Sequence, residues 1–205
     1  MSERFLHIYE SVLQDPNGVK MPNPISDNFD KCLLHIDDLL SSAILLSQNR
    51  RYTQALFLAI TAVEESVKAE VYCFRSKNEN NGRPAKDSLK KHEIKHKAAV
   101  NEEILLIGKR VQNVIGDELT VQIYDNFGKG KTRELRENCL YFEVQADKLI
   151  IPTENITPKI AISYILACIE IIDDKLVGWT NLSMKLSTSF DKYFDTLKTI
   201  YNSLC

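Results

Sequence analysis

The pattern of apolar residues is most continuous from Ala55 to Val63, where Thr61 alone interrupts it. A helix that is apolar on every side leaves no face for water and is therefore buried. Because the run is also too long for one strand, it predicts a central helix over 53–74, with Thr53 as its N-cap. Apolar residues at helical spacing predict a second helix over 26–48: Phe29, Leu33, Ile36, Leu40 and Ile44. The short polar link between the two helices makes them antiparallel neighbours.

The same patterning predicts an all-α protein with one small exception. Further helices are expected at 4–13, at 87–115 with a break near Asn101, and as a C-terminal pair at 159–177 and 181–202. Residues 116–127 suit either a short helix or a strand. Two apolar stretches flank Gln145-Ala146-Asp147, which favours a β-hairpin near 139–151. A length of 205 residues fits a single domain, 1–205, with residues 1–24 as an N-terminal appendage.

Composition narrows the class of protein. With 44% hydrophobic residues, 26% charged residues and a net charge of −2, the chain is not a uniformly basic nucleic-acid binder. Its five cysteines form no CxxC pair, which indicates reduced thiols and a cytoplasmic location. No signal peptide is recognisable. The apolar run 160–172 is shorter than the roughly 20 residues of a spanning helix, so we expect no membrane segment.

Two adjacent carboxylates, Glu64 and Glu65, lie near the end of the central helix, and Lys68 follows one turn later. Glu64 falls on the apolar side of that helix, where a carboxylate needs a charged or donor partner. One interpretation is a simple intrahelical pair with Lys68. The other is a carboxylate that anchors a functional cluster with Arg136 or His92, which leaves Glu65 and Lys68 as a structural ion pair.

Basic residues accumulate between Arg75 and Lys97. They are Arg75, Lys77, Arg83, Lys86, Lys90, Lys91, Lys95 and Lys97, against Glu79, Asp87 and Glu93. Such a run is either a solvated helix face or a surface for a phosphate backbone. On the second interpretation Lys90, Lys91 and Lys95 contact RNA.

Within this basic region, His92-Glu93-x-x-His96 matches the HExxH pattern of zinc hydrolases. That pattern places two histidines on one helical face and uses the glutamate as base. Lys95 inside the motif and Lys91 and Lys97 beside it oppose a dication. A zinc hydrolase is therefore the weakest of our hypotheses, and we expect no metal or other cofactor.

Three segments of the chain together resemble a known family. They are ALFLAITAVEESVK at 55–68, LKKHEIK at 89–95 and RENCLYFEV at 136–144. The chain is similar to the abortive-infection V (AbiV) family of bacterial phage-resistance proteins, which belongs to the HEPN superfamily. The resemblance implies a HEPN-like helical bundle, usually a homodimer, and in many members a metal-independent ribonuclease.

The HEPN hallmark is an arginine, a polar residue close behind it, and a histidine four to six positions on. Here Arg136 matches the arginine and Asn138 offers the polar group, but Tyr141 stands where the histidine is expected. A tyrosine, with a pKa around 10, is a poor base near pH 7. His92 is the candidate for the missing imidazole, and Tyr141 for a hydrogen bond to phosphate. The resemblance and the residue patterns together give the candidate catalytic set Arg136, His92, Tyr141 and Glu64, with Asn138 in contact with RNA.

The resulting hypothesis is an antiphage protein that arrests host translation after it senses a phage-encoded activator. The mechanism is RNA binding or metal-independent RNA cleavage. The alternative is a non-catalytic module that blocks the translation machinery by contact.

Overall fold

The computed structural model describes residues 3–16, 18–75, 87–100 and 109–204. The helices in these ranges are α1 (Glu3–Leu13), α2 (Ile25–Gln48), α3 (Tyr52–Phe74), α4 (His92–Ala99), α5 (Arg110–Ile115), α6 (Asp117–Gly128), α7 (Thr132–Asn138), α8 (Pro152–Asn155), α9 (Pro158–Leu176) and α10 (Asn181–Ser203). The two strands are β1 (Glu143–Gln145) and β2 (Lys148–Ile150). The prediction of an all-α protein with one small β-element is confirmed.

Four long helices form the core. α3 packs against α2 and α9, and α10 closes the ring by packing against both of those helices. The five apolar residues predicted to share one side of α2 are all buried. Within the continuous apolar run of α3, Ala55, Leu56, Ala59, Ile60 and Val63 are completely buried. The hydrophobic pattern predicted both helices to within one residue, although α3 begins at Tyr52 without the side-chain cap expected from Thr53.

The C-terminal pair also follows its sequence signals. Thr157 accepts a hydrogen bond from the backbone N–H of Ile160, and Pro158 occupies the first turn of α9. Gly178 has a φ of +87°, a left-handed conformation that glycine adopts without strain, and it separates α9 from α10. The single tryptophan, Trp179, lies in this link with its ring edge-on to Phe74 at 4.6 Å between centroids and 6.0 Å from Phe29.

The segment 87–115, predicted as a helix with a break near Asn101, is not one continuous helix. A short 3₁₀ turn at Ser88–Lys90 precedes α4, and Val100 has an extended backbone, so α4 ends at Ala99. The predicted break near Asn101 lies outside the described residues. Residues 116–127, which suited a helix or a strand, are helical as α6. The consequence is that α4 is a separate short helix, and it packs on α3, α6 and α7.

The β-hairpin is shorter than its predicted range. Val144 lies opposite Leu149, and the strands start only at Glu143, because α7 extends to Asn138 and a turn follows it. Tyr141 therefore lies in the connection before β1 rather than in a strand, and it is 65% exposed.

A buried ion pair connects the N-terminal segment to the bundle. The Arg75 guanidinium binds the Asp87 carboxylate through two bonds of 2.7 and 2.9 Å, and both side chains are at most 2% exposed. Arg75 also donates to the backbone carbonyls of Val12 and Val19, and Asp87 accepts from the backbone N–H of Val19. The helix expected as an appendage is thus hydrogen-bonded to the end of α3 and to the turn before α4.

Candidate active site

Three helices that are far apart in sequence meet around one carboxylate. α3 supplies Glu64, α4 supplies His92, Lys95 and His96, and α7 supplies Thr132 and Arg136. The helical spacing of 92, 95 and 96 puts all three side chains on the same face of α4, which packs against α3. We call these six residues the Glu64 cluster.

The Glu64 carboxylate is the centre of the cluster and is only 1% exposed. Its Oε1 atom is 2.8 Å from His96 Nε2, and its Oε2 atom is 2.5 Å from Lys95 Nζ and 2.7 Å from His92 Nδ1. Arg136 Nε lies 3.5 Å from Oε1. Glu64 therefore anchors a cluster rather than pairing with Lys68.

Burial by itself raises the pKa of the Glu64 carboxyl. Hydrogen bonds from His96 and Lys95, together with the charge of Lys95, outweigh that effect and hold the pKa well below its ordinary value of 4.5. The carboxylate is consequently ionised at neutral pH and acts only as a hydrogen-bond acceptor.

His96 is completely buried and bridges Glu64 to α7. Its Nδ1 atom is 2.8 Å from the Thr132 hydroxyl, and its ring lies edge-on to Phe127. Burial lowers the pKa of His96 despite the neighbouring carboxylate, so the ring is neutral at pH 7. Since Glu64 can only accept, the proton of His96 is on Nε2, and the Thr132 hydroxyl donates to Nδ1.

His92 is the member of the cluster that faces solvent, with a side chain that is 39% exposed. Its Nδ1 atom lies within 2.8 Å of both Glu64 oxygens and donates to them. In the neutral ring this contact assigns the proton to Nδ1 and leaves a lone pair on Nε2. A carboxylate that orients an imidazole in this way prepares the distal nitrogen to accept a proton.

Arg136 lies at the edge of the cluster, with 16% of its side chain exposed. Its guanidinium stacks over the Phe57 ring at 4.4 Å, and its Nε atom is 3.3 Å from the Thr61 hydroxyl. With neutral histidines, Glu64 supplies one negative charge against the two positive charges of Lys95 and Arg136. The cluster therefore has a net positive charge, and His92 and Arg136 are its more exposed members.

The remaining residues predicted for the site lie elsewhere. Lys90 and Lys91 are exposed immediately before His92, as a phosphate-contacting surface requires, whereas Lys95 is buried against Glu64 instead of lying on that surface. Glu65 and Lys68 form their own pair at 2.5 Å, as predicted. The Asn138 amide, with its nitrogen towards Glu143, donates to Glu143 Oε1 at 2.8 Å.

The HExxH motif does not have the arrangement of a zinc hydrolase. Its glutamate, Glu93, is half-exposed and pairs with Lys97, away from the cluster. The ring nitrogens of its two histidines that point into the protein, His92 Nδ1 and His96 Nε2, are hydrogen-bonded to Glu64. Within 3–16, 18–75, 87–100 and 109–204, no group of three or more His, Cys, Asp or Glu residues could hold a metal ion.

Sequence reasoning identified Glu64, His92 and Arg136 but missed His96 and Thr132 as partners. The signal for His96 was present, because a histidine one turn after His92 must share its face of α4. No such signal existed for Thr132, since a short helix at 132–138 was not predicted.

Comparison with known proteins agrees with this architecture. A family model described as AbiV (HEPN_AbiV) matches residues 25–172, a range that runs from the start of α2 almost to the end of α9 and includes all of the Glu64 cluster. The chain belongs to the AbiV family. It is an abortive-infection protein of the HEPN type. No curated protein and no solved structure gave a significant match.

None of the helices in the described part of this AbiV protein is both long enough and apolar enough to cross a membrane. The four described cysteines, Cys32, Cys73, Cys139 and Cys168, are free thiols.

Proposed function

We propose that this AbiV protein is a metal-independent endoribonuclease that arrests host translation after it senses a phage-encoded activator. The observation that carries the proposal is the Glu64–His92 contact beside Arg136. It combines an oriented imidazole, a guanidinium and a net positive charge at one partly exposed position.

In this mechanism His92 Nε2 removes the proton from a ribose 2′-hydroxyl, and the 2′-oxygen attacks the adjacent phosphorus. The bond to the 5′-oxygen breaks, and that oxygen takes a proton from water. The products are a 2′,3′-cyclic phosphate and a free 5′-hydroxyl. Glu64 stabilises the imidazolium that forms on His92.

Arg136 supplies the electrostatic part of the mechanism. Its guanidinium can bond two phosphate oxygens at once and stays charged at every relevant pH. Negative charge increases on the phosphate oxygens in the transition state, where a preorganised cation is most effective. Lys90 and Lys91 provide the approach surface, and Tyr141, exposed after α7, is available to donate a hydrogen bond to phosphate.

A second candidate function is a non-catalytic module that blocks the translation machinery by contact. Two observations favour it. The position of the HEPN histidine holds Tyr141, and the charges of Lys95 and Arg136 are already partly neutralised by Glu64. In this alternative the Glu64 cluster only holds α3, α4 and α7 together.

The test measures two activities of each variant. One is RNA degradation by the purified protein, with and without phage extract, and the other is phage protection in cells. Arg136→Ala and His92→Ala should abolish both activities. The matched controls are Arg133→Ala, one turn earlier on α7 with an exposed side chain, and His35→Ala, an exposed histidine on α2. Both controls should keep both activities.

Each alternative outcome decides between the two candidates. Protection that survives both Arg136→Ala and His92→Ala, in variants that fold normally, rules out the enzyme. Protection by a protein that never degrades RNA, even with phage extract, establishes the non-catalytic module.

A further inference from the structure

Helix α4 and the turn before it are attached to α3 at both ends. At one end the Arg75 guanidinium binds the Asp87 carboxylate through the two bonds of 2.7 and 2.9 Å. At the other end His96 Nε2 is 2.8 Å from Glu64 Oε1. Positions 64 and 75 are about three helical turns apart on α3, which is roughly 16 Å. His92 therefore lies between two points of attachment, one inside the Glu64 cluster and one outside it.

The start of α4 is placed by the turn that precedes it. α4 has only eight residues, and its N-cap, Lys91, makes no side-chain cap hydrogen bond. Isolated helices shorter than about 12 residues are marginal in water. In the preceding turn the Asp87 carboxylate accepts from the backbone N–H of Leu89, a side chain that is 1% exposed. Backbone hydrogen bonds continue into the helix, since Lys91 donates to Ser88 and Lys95 donates to Lys91.

The N-terminal segment holds the same turn from the other side. The Asp15 carboxylate accepts from the backbone N–H of Ser88 at 2.8 Å. The backbone N–H of Val19 donates to Asp87, also at 2.8 Å, and α1 packs directly on α4. These contacts connect the segment that was predicted to be an appendage to the chain just ahead of His92.

The contribution of the Arg75–Asp87 pair to the fold is mainly geometric. A buried ion pair gains little net stability, because the cost of desolvating both charges offsets their attraction. A guanidinium that binds a carboxylate through two bonds adds a fixed relative orientation, which apolar packing does not. Arg75 is itself held in place, because it donates to the backbone carbonyls of Val12 and Val19 at 2.9 Å each.

We propose that the Arg75–Asp87 pair, together with Asp15, positions the imidazole of the candidate site by fixing the start of α4. The contact that depends on this placement is the one between His92 Nδ1 and Glu64, which leaves a lone pair on Nε2. A misplacement of about 1 Å can lower a rate ~100-fold, so small movements of α4 are sufficient. The consequence for catalysis rests on the proposed function, whereas the placement of the ring does not.

The test uses two variants and a matched control. Arg75→Met combined with Asp87→Leu replaces the pair by apolar side chains, a change that often leaves the stability of a buried pair unaltered or raises it. Asp15→Ala is milder and removes one acceptor from the turn. The control is Arg110→Met combined with Glu170→Leu, which removes an ion pair between α5 and α9. Circular dichroism and urea unfolding establish that each protein is folded.

The first measurement is the tautomer of the His92 ring, read by NMR from its nitrogen chemical shifts in mildly alkaline solution. The wild type and the control should carry the proton on Nδ1. The double variant should show a mixture of the two neutral tautomers, because Glu64 no longer fixes the ring, and Asp15→Ala should change in the same direction to a smaller extent. A tautomer that stays unchanged in the folded double variant overturns the proposal. If the double variant does not fold, the result for Asp15→Ala decides in the same way.

The second measurement is the rate of RNA degradation per folded molecule. It should fall about tenfold or more in the double variant and stay at the wild-type value in the control. An altered tautomer with an unaltered rate would contradict a positioning role in the reaction. If the wild type itself never degrades RNA, the proposed function fails, and the NMR measurement still decides whether these residues place His92.

Discussion

At the scale of single residues, the Glu64 carboxylate has an unusually large number of polar partners. One buried carboxylate accepts from two histidines and a lysine, and an arginine lies at 3.5 Å. Removing one member of a buried ionic network leaves the other charges without a partner. The resulting loss of folding stability exceeds the net stability that the whole network contributes. The cluster is therefore expected to respond strongly to substitutions that keep side-chain shape and change only charge.

Glu64→Gln should lower the free energy of unfolding by about 3–5 kcal/mol, because Lys95 then remains buried without its counter-charge. Urea unfolding at pH 7 measures this loss. The adjacent Glu65→Gln is the control and should cost less than about 1 kcal/mol, since its pair with Lys68 is partly exposed. Equal losses in the two variants would contradict the assignment of Glu64 as the centre.

The pH dependence of the stability loss in Glu64→Gln follows from the pKa of Glu64, which is lower in the folded protein than its ordinary value of 4.5. A carboxyl with a depressed pKa stabilises the fold above the unfolded-state pKa, and the contribution is lost as pH falls. The stability difference between wild type and Glu64→Gln should therefore be constant above about pH 5 and should shrink in more acidic solution.

His96 should make the protein less stable as the pH falls below its ordinary pKa of 6.5. The unfolded chain takes up a proton there, whereas the buried ring in the folded protein resists protonation. His96→Gln should flatten the dependence of unfolding free energy on pH between 7 and 5. His35→Gln, at an exposed position, is the matched control.

At the scale of elements, the buried Arg75–Asp87 pair depends on a glycine. A Cβ at Gly18 would lie 2.4 Å from the guanidinium carbon of Arg75, so a methyl group must displace that side chain. We expect Gly18→Ala to cost about 1–3 kcal/mol of stability, the range for overpacking. In an Arg75→Ala background the same change should cost much less, and a double-mutant cycle measures the difference.

Sequence reasoning succeeded for the elements with long apolar repeats. The ends of α2, α3, α9 and α10 follow from such repeats and from the Thr157-Pro158 signal. It failed where elements are short. α7 has a single buried position, Thr132, and follows a glycine-rich link, so no periodicity reveals it.

For the residues of the candidate site, too, some sequence predictions succeeded and others failed. The burial of Glu64 was predicted from its position on the apolar side of α3, and the AbiV resemblance pointed to Arg136. Lys95 was expected on an exposed surface because its neighbours in sequence are basic. Position 95 falls between the two inward histidines, and the counter-charge of Glu64 stabilises a lysine there.

At the scale of the whole molecule, the net charge is −2, so the proposed RNA binding requires a local basic surface. Lys90→Ala combined with Lys91→Ala should weaken RNA binding and reduce the slope of log affinity against log salt by about 1–2. Fluorescence anisotropy with a labelled oligonucleotide at several salt concentrations measures both. Lys185→Ala combined with Lys192→Ala, on α10, is the control. An unchanged slope in the variant that lacks Lys90 and Lys91 would show that these two residues do not contact RNA.

The position of Trp179 has a practical consequence for all of these measurements. It is the only tryptophan in the chain, and its ring contacts Phe74 of α3 and Phe29 of α2 while its indole N–H donates to the carbonyl of Lys175. Emission excited at the red edge of indole absorption therefore reports from one known junction of the four-helix core. No residue of the Glu64 cluster lies at this junction, so an unaltered emission maximum in a cluster variant shows that the packing of Trp179 against α2 and α3 is preserved.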